Sequence, residues 1–360
     1  MARKEILNIY KNKNILITGH TGFKGSWLTH WLIKKEANVF GISSNIPTKP
    51  SIFNETDLKN KIQSDYRFDL RDLNKLKSKI KKIKPDFIFH LAAQPIVLDS
   101  YNNPKETIEN NLISTINLLE AVRLCRNKLN IVMITSDKVY KNFDTRKPYN
   151  EDSKIGGDDP YSASKGMTEI AIESYFKSFL SSKKNIKIAV ARAGNVVGGG
   201  DWASHRIIPD IVRSWNRGDK VIIRSPKSVR PWQHVLEPLA GYLKLGEELY
   251  HNNKINGEAF NFGPKESNNY TVFNLLKNLS NHFDGLKWKF DNKLSVKKET
   301  KLLSLDSKKA NKLLKWNAKL SFNHTIKFTA EWYKKFYGNI RKENLYKFTI
   351  DQINEYESIK

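Results

Sequence analysis

Residues 13–25 read KNILITGHTGFKG, and SWLTHWLIKKE follows directly at 26–36. A short apolar run that meets a glycine, then glycines three apart, then an apolar pattern of helical period spells strand, tight turn and helix. NVFGISS at 38–44 supplies the next strand, so the chain opens on a βαβ unit. Gly19, Gly22 and Gly25 let backbone approach a pyrophosphate, and the free amides of the helix start favour an anion. With Thr21, Phe23 and Lys24 they form the expected dinucleotide cradle.

Outward from that loop, strands and helices keep alternating. Ser43, Ser44 and Asn45 stand where an acidic residue commonly holds the adenosine ribose. No carboxylate there selects NAD and no adjacent arginine advertises NADP, so the choice leans to NAD. A third strand precedes Asp69 and Leu70, placed to meet the adenine, while Asp72 suits an N-cap for the next helix. DFIFHLAAQP (86–95) reads as a fourth strand, ending in Ala92 and Ala93, small enough for a cofactor to lie close, and in Gln94. A helix from about Pro104 to Cys125 carries Asn111, and IVMIT and KIAVARAGNV are further buried strands. The fold class is therefore α/β, a Rossmann-type doubly wound parallel sheet with a smaller C-terminal α/β substrate domain. The expected division is a cofactor domain from 1–192 with a chain return near 230–262, a substrate domain from 193–229 and 263–340, and a tail at 341–360.

Chemistry concentrates between residues 135 and 165. Tyr161 and Lys165 stand four apart at a helix start, which puts them on one face. A lysine there pulls a tyrosine hydroxyl from about 10 toward neutrality, making a general base for a sugar or alcohol hydroxyl. Thr135, Asp137 and Lys138 emerge at the carboxyl end of a strand, the edge at which open α/β sheets bind ligands. The plain alternatives are an exposed aromatic and lysine on a helix, and a turn ion pair for Asp137 and Lys138. Asp137 and Lys138 would add acid/base capacity beside the same edge.

Past Arg192 the pattern turns to glycine- and proline-bearing loops. Arg206, Arg224 and Arg230 lie in these loops and can clamp phosphates by bidentate bonds. His234 is a lone histidine, equally suited to a structural or a site role. EAFNFGP (258–264) reads as a strand, NYTVFNLLKNLSN as a capped helix, and the C-terminal region as helical and aromatic.

The 360 residues carry a net charge of +25, one cysteine and 39% hydrophobic residues. LKSKIKKIK (76–84) places Leu76, Ile80 and Ile83 on one helical face and lysines on the other, so the charge reads as solvated surface. No RNA-binding aromatic motif or helix-turn-helix pattern accompanies it, and no nucleic-acid partner is expected. No apolar run reaches membrane-spanning length and no export signal opens the chain, so no membrane association is expected. Cys125 lies in an apolar helical stripe, and a single cysteine fits a reducing cytoplasm. No metal site is expected.

In order along the chain, GHTGFKG, DLRD, HLAAQ, TSDK, YSASK and RAGNV resemble the extended short-chain dehydrogenase/reductase superfamily. GGGDW, RIIPD, VRPWQHVLEPLAGYL and FTIDQINEY narrow the resemblance to its nucleotide-sugar 4,6-dehydratases, of the group acting on CDP-glucose, over essentially the whole chain. The resemblance implies NAD as cofactor and a nucleotide-diphosphate sugar as substrate. It implies Tyr161, Lys165 and Thr135 for oxidation at C4, Asp137 as the acid for the C6 hydroxyl, and Lys138 where relatives have a glutamate base. Gln94, Asn195, Asp201, Trp202, Arg206, Arg230 and His234 are the implied substrate contacts, Asn195 and Arg230 at the diphosphate. It further implies a homodimer through helices 104–126 and 158–182. The loop 141–150 and Leu98, in place of an arginine, depart from the group's pattern, which leaves other nucleotide sugars open. The rival from another class is a nucleotide-binding regulator with a degenerate site.

Overall fold

A computed structural model describes residues 8–143, 147–265, 269–291, 303–338 and 340–360. Its centre is built from β1 (Asn14–Thr18), β2 (Asn38–Ser43), β3 (Ser64–Arg67), β4 (Phe87–His90), β5 (Leu129–Ile134), β6 (Ile186–Ala193) and β7 (Ala259–Phe262). These pair in the order β3-β2-β1-β4-β5-β6-β7, and every pairing is parallel. Every residue of β4 and β5 is buried, as a parallel sheet covered on both faces requires. Alternation along β1 divides its side chains between two cores. Ile15 and Ile17 join Trp27 and Leu28, whereas Leu16 joins Leu76 and Leu118 on the opposite face.

The helices follow from the same patterning. α1 (Phe23–Lys34) leaves the glycine loop. α2 (Leu73–Ile83) buries Leu76, Ile80 and Ile83, and Asp72 caps it by accepting from Lys75 N. The segment expected as one helix from Pro104 to Cys125 runs through Pro104–Ile108 and a π-turn, Glu109–Ile113, into α3 (Ser114–Val122). α4 (Pro160–Tyr175), with Asp159 as its N-cap, carries Tyr161 and Lys165. Buried His90 ties the layers, bonding Thr18 Oγ1 at 2.7 Å and Thr115 Oγ1 at 3.1 Å.

Beyond β6 the chain builds α5 (Ile207–Arg217), then α6 (Leu236–His251), which leads into β7 on the main sheet. Three two-stranded pieces surround these: Val196–Val197 with Gln233–His234, Val229–Pro231 with Asn269–Thr271, and Lys220–Ile223 with Lys287–Phe290. α7 (Phe322–Tyr337) and α8 (Lys342–Ser358) follow. Residues 341–360, set apart as a tail from sequence, pack onto α1: Trp31 Nε1 donates to Glu357 at 2.8 Å, and the Trp31 and Tyr356 rings meet edge-on.

The strand order reverses between β1 and β4, and a doubly wound sheet opens its ligand crevice at that point. The glycine loop after β1 and Ala92–Gln94 after β4 flank it.

Candidate active site

The three loop glycines do different work. Gly19 leaves β1 with φ +76, and a Cβ on it would fall 2.7 Å from Ala92 N. A Cβ on Gly25 would fall 2.1 Å from the Gly19 carbonyl oxygen. Both are demanded by the protein's own backbone. Gly22 is not: its φ of −74 and ψ of 168 suit any residue. A Cβ there would meet only the Gly19 oxygen, at 3.4 Å. Gly22 caps α1 without a side-chain bond, so the first amides of the helix face an open cradle that a side chain would narrow. A dinucleotide diphosphate fits that arrangement.

At the ribose end, Ser43 is engaged inside the protein. Its hydroxyl meets His20 Nδ1 at 2.9 Å, and His20 Nε2 meets Asp65 Oδ1 at 2.9 Å. Burial depresses the His20 pKa, so the ring is neutral; Nε2–H donates to Asp65 and Nδ1 accepts from Ser43. Thr21 Oγ1 donates to Asn45 O at 2.7 Å. Asp69 accepts from Arg71 through backbone (2.8 Å) and guanidinium (2.6 Å), and Leu70 is buried beneath it. Phe23 closes the loop against Gly198.

Asn111 corrects one expectation. Its side chain accepts from Gln94 N at 2.8 Å and donates to Gln94 O and to Ser164 Oγ (2.8 Å). It braces the β4 edge against α4 and has no donor left for a cofactor. The Gln94 side chain is likewise engaged, donating to Thr107 Oγ1 at 3.0 Å and accepting from Ile96 N.

The hydroxyl partner of Tyr161 also differs from expectation. Thr135 Oγ1 donates to Glu169 at 2.6 Å, two turns further along α4 from Tyr161. Ser136 is the hydroxyl residue that bears on Tyr161, pulling its titration down against burial. Strand alternation explains the swap, since adjacent residues leave a strand on opposite faces. Ser136 Oγ donates to Asp137 Oδ1 at 2.9 Å and accepts from Lys138 N at 3.2 Å.

Without a bound cofactor, burial dominates the electrostatics of this pair. Burial pushes Tyr161 up to about 12, against the downward pull of the Ser136 bond. Burial lowers Lys165 to about 8, with Glu169 pulling back upward. Burial and then the Arg206 cation lower Lys24 to about 8, while Asp137 raises it. Glu169 is itself held by Arg192, whose Nε and Nη2 each donate at 3.0 Å; both side chains are buried. Arg192 Nη1 continues to Tyr140 at 2.8 Å. Sequence alone left Ser136 and Glu169 unnoticed; Glu169, four residues beyond Lys165 on the same face, was the available signal.

On the substrate side, Asp201 is buried and accepts from Arg206 Nη1 at 2.8 Å, which aims that arginine at the Tyr161 side of the cleft. Asn195 is exposed just past β6. Arg230 is half-buried, in register with Tyr270 on the neighbouring strand. Two expected contacts lie elsewhere. Trp202 is buried among Trp332, Tyr333 and Phe336, and fills the core rather than the cleft. His234 is fully buried between Trp27 and Phe328, and burial lowers it to about 3, so it is a neutral core ring. Of the loop 141–150, residues 144–146 lie outside the described residues. Among the described residues no group of three or more His, Cys, Asp or Glu is placed to hold a metal, and no helix is long and apolar enough to cross a membrane.

A glycine-loop cradle, a Tyr-x-x-x-Lys helix and a reversed strand order at one edge define a dinucleotide-dependent short-chain dehydrogenase/reductase architecture. Residues 16–329 match the family described as GDP-mannose 4,6 dehydratase, and the chain belongs to this NAD-dependent epimerase/dehydratase family. Over 356 residues, 98% of each chain, it is 40% identical to the CDP-glucose 4,6-dehydratase of Salmonella typhimurium. The dTDP-glucose 4,6-dehydratase of Haemophilus influenzae is 26% identical, with 89% of this chain and 97% of that one covered. Among solved structures, the epimerase Mth375 of Methanothermobacter thermautotrophicus superposes with a TM-score of 0.79 at 23% identity, covering 93% and 96% of the two chains. The dTDP-glucose 4,6-dehydratase of Bacillus anthracis, in complex with NAD, gives 0.73 at 20% identity, covering 89% and 96%.

Proposed function

We propose that the chain is an NAD-dependent 4,6-dehydratase (a hydro-lyase) that converts CDP-glucose to its 4-keto-6-deoxy form. The observation that supports this reading is the gathering of Ser136 and Asp137, bonded at 2.9 Å, close enough to Tyr161 that both bear on its titration, at one sheet edge. The 40% identity to a CDP-glucose 4,6-dehydratase over 98% of both chains supports the choice of nucleotide.

The loop Gly19–Gly25 and the amides of α1 would hold the dinucleotide diphosphate, with Ala92 and Ala93 as floor. When bound, NAD supplies the hydride acceptor for C4 and the donor for C6. Tyr161 takes the C4 hydroxyl proton, and Lys165 keeps positive charge beneath it. The ketone formed at C4 acidifies the C5 hydrogen, which Lys138 removes, and Asp137 protonates the departing C6 hydroxyl. Arg206, Arg230 and Asn195 clamp the substrate diphosphate. Residues 1–192 with 230–262 serve the cofactor, and 193–229 with 263–340 serve the sugar nucleotide. A homodimer forms through the helices at 104–126 and 158–182. Exposed Ile113, Leu124, Ile170 and Phe179 on these helices support that pairing. The lone cysteine supports a cytoplasmic location.

Incubation with CDP-glucose and NAD is expected to give a product with the alkaline absorbance of a 4-keto-6-deoxy sugar. Turnover of UDP- or dTDP-glucose but not CDP-glucose would reassign the nucleotide. Asp137→Asn is expected to keep C4 oxidation, seen as reduced-nicotinamide absorbance, and to slow elimination. Full turnover in that variant would remove Asp137 as the acid.

A further inference from the structure

Two elements must agree on where one sugar lies. α4 carries Tyr161 and Lys165, and the short turn Asp137–Val139 carries the acid. The chain leaves that turn at Tyr140, comes back in an isolated bridge at Ile155, and reaches α4 only at Pro160. A buried side chain on a third element spans this detour. Arg192, near the end of β6, donates to Glu169 through Nε and Nη2, each at 3.0 Å, and Glu169 lies on α4 one turn past Lys165. Its Nη1 donates to Tyr140 Oη at 2.8 Å and to Glu151 O at 3.0 Å. Tyr140 Oη donates onward to Asn261 Oδ1 at 2.8 Å, and Asn261 is the register partner of Arg192 on β7. Tyr140 N in turn donates to the Asp137 carbonyl at 3.2 Å, closing the acid's own turn. Thr135, at the strand end just before that turn, donates to the same Glu169 at 2.6 Å. A planar guanidinium with donors on several edges fixes angle as well as distance, which an ammonium does not.

We propose that Arg192 is a positioning residue for elimination: by gripping Glu169 on α4 and Tyr140 behind the acid-bearing turn, it sets Asp137 at the separation from Tyr161 that one sugar ring requires. The clasp rests on the dehydratase reading above. Its part is geometric, and no bond is made or broken at Arg192. Replacing a buried ion pair by apolar groups is often neutral for stability, so its presence at this edge is accounted for by the register it imposes.

The two halves of the reaction depend on the clasp unequally. Oxidation at C4 uses Tyr161 and Lys165, both on α4, and the cofactor cradle of the glycine loop. Elimination also needs the turn, because Asp137 must meet the C6 hydroxyl while the ketone stays at Tyr161. A shift of about 1 Å in such a group can cost about a hundredfold in rate. A loosened turn therefore strands the ketone, and the reduced nicotinamide formed with it, ahead of the elimination.

Three variants separate register from general loosening. Tyr140→Phe keeps the Arg192–Glu169 pair and cuts the link to the turn. Arg192→Lys keeps a cation for Glu169 but lacks the fork that also reaches Tyr140. Tyr149→Phe is the control: its ring stacks on Tyr140 with centroids 5.5 Å apart, but its hydroxyl serves Phe143 N and Asn142 Oδ1 instead. Single turnovers of the NAD-loaded enzyme with CDP-glucose are followed by nicotinamide absorbance, with the final product read in alkali. Tyr140→Phe and Arg192→Lys are expected to form reduced nicotinamide at the wild-type rate. Its decay, and the appearance of the deoxy product, should slow by about a hundredfold, with free 4-keto nucleotide escaping into solution. Tyr149→Phe should partition like wild type. Oxidation and elimination falling in step, an unchanged partition in the first two variants, or a Tyr149→Phe that copies Tyr140→Phe would overturn the clasp while leaving the dehydratase reading standing. Wild type that dehydrates no nucleotide sugar would instead sink that reading, and the clasp with it.

Discussion

Replacing Gly22 and Gly25 with alanine, one at a time, separates what the glycine loop does for the fold from what it does for a ligand. At Gly25 the added Cβ would lie 2.1 Å from the Gly19 carbonyl oxygen and 2.8 Å from His20 Cα, both backbone atoms that cannot swing away. Overpacking of that kind costs about 1–3 kcal/mol or more, a large part of the roughly 5–15 kcal/mol that holds a domain together. At Gly22 the backbone is already in a region open to alanine, and the nearest atom is 3.4 Å away. Alanine is a poorer N-cap than glycine but restricts the unfolded chain, so the two effects offset to within about 1 kcal/mol. The new methyl would nevertheless stand where phosphate oxygens must approach the α1 amides, and a loss of at least about 1.4 kcal/mol, or tenfold in Kd, is expected. Thermal melts and calorimetric titration with NAD give both numbers. Gly25→Ala should melt markedly lower, and Gly22→Ala should melt like wild type while binding NAD weakly. A Gly22→Ala protein with the wild-type Kd would refute the phosphate cradle.

Glu169→Gln leaves Arg192 as an uncompensated buried cation, and urea unfolding is expected to show a loss of about 3–5 kcal/mol; a loss under 1 kcal/mol would mean the pair is not structural. The Lys165 pKa is held near 8, below its ordinary 10.5. Between those values the unfolded chain binds more protons, so stability attributable to Lys165 rises with pH over about 8–10. Urea midpoints of wild type relative to Lys165→Met should show that upward slope in cofactor-free protein, and parallel curves would contradict it. Asp201→Asn frees Arg206 from its anchor. The KM for the sugar nucleotide should rise about tenfold at little-changed kcat, and an unaltered KM would remove Arg206 from the substrate clamp.

The framework was legible because its signals are local. Strand, glycine turn and helix follow in one short stretch, and the lysine-rich α2 shows its buried face in the spacing of Leu76, Ile80 and Ile83. The return of the chain to the main sheet at β7 could be placed from the apolar run at 258–262. Side-chain direction was harder. Whether Thr135 or Ser136 faces Tyr161 turns on where β5 ends, and a shift of one residue exchanges their faces. Trp202 and His234 bear residue types that suit a binding loop, yet long-range packing against α7 draws both inward. Asn111 sits in a π-turn that helical periodicity does not announce, and there it serves as a brace. The Lys165–Tyr161 spacing gave the geometry of a pair, but burial, a property of the whole fold, decides which way each group titrates.

The seventh strand has a consequence for how the protein is made. β6 is completed at Ala193, but its outer neighbour β7 arrives only with Phe262, and the two then pair along Val190–Ala193. On a ribosome adding 5–20 residues per second, roughly 3–14 s separate the two strands. Through that interval the nascent sheet offers an unpaired apolar edge, the kind to which another chain can add. The speed of translation through the intervening segment therefore sets how long that sticky edge waits for its own partner.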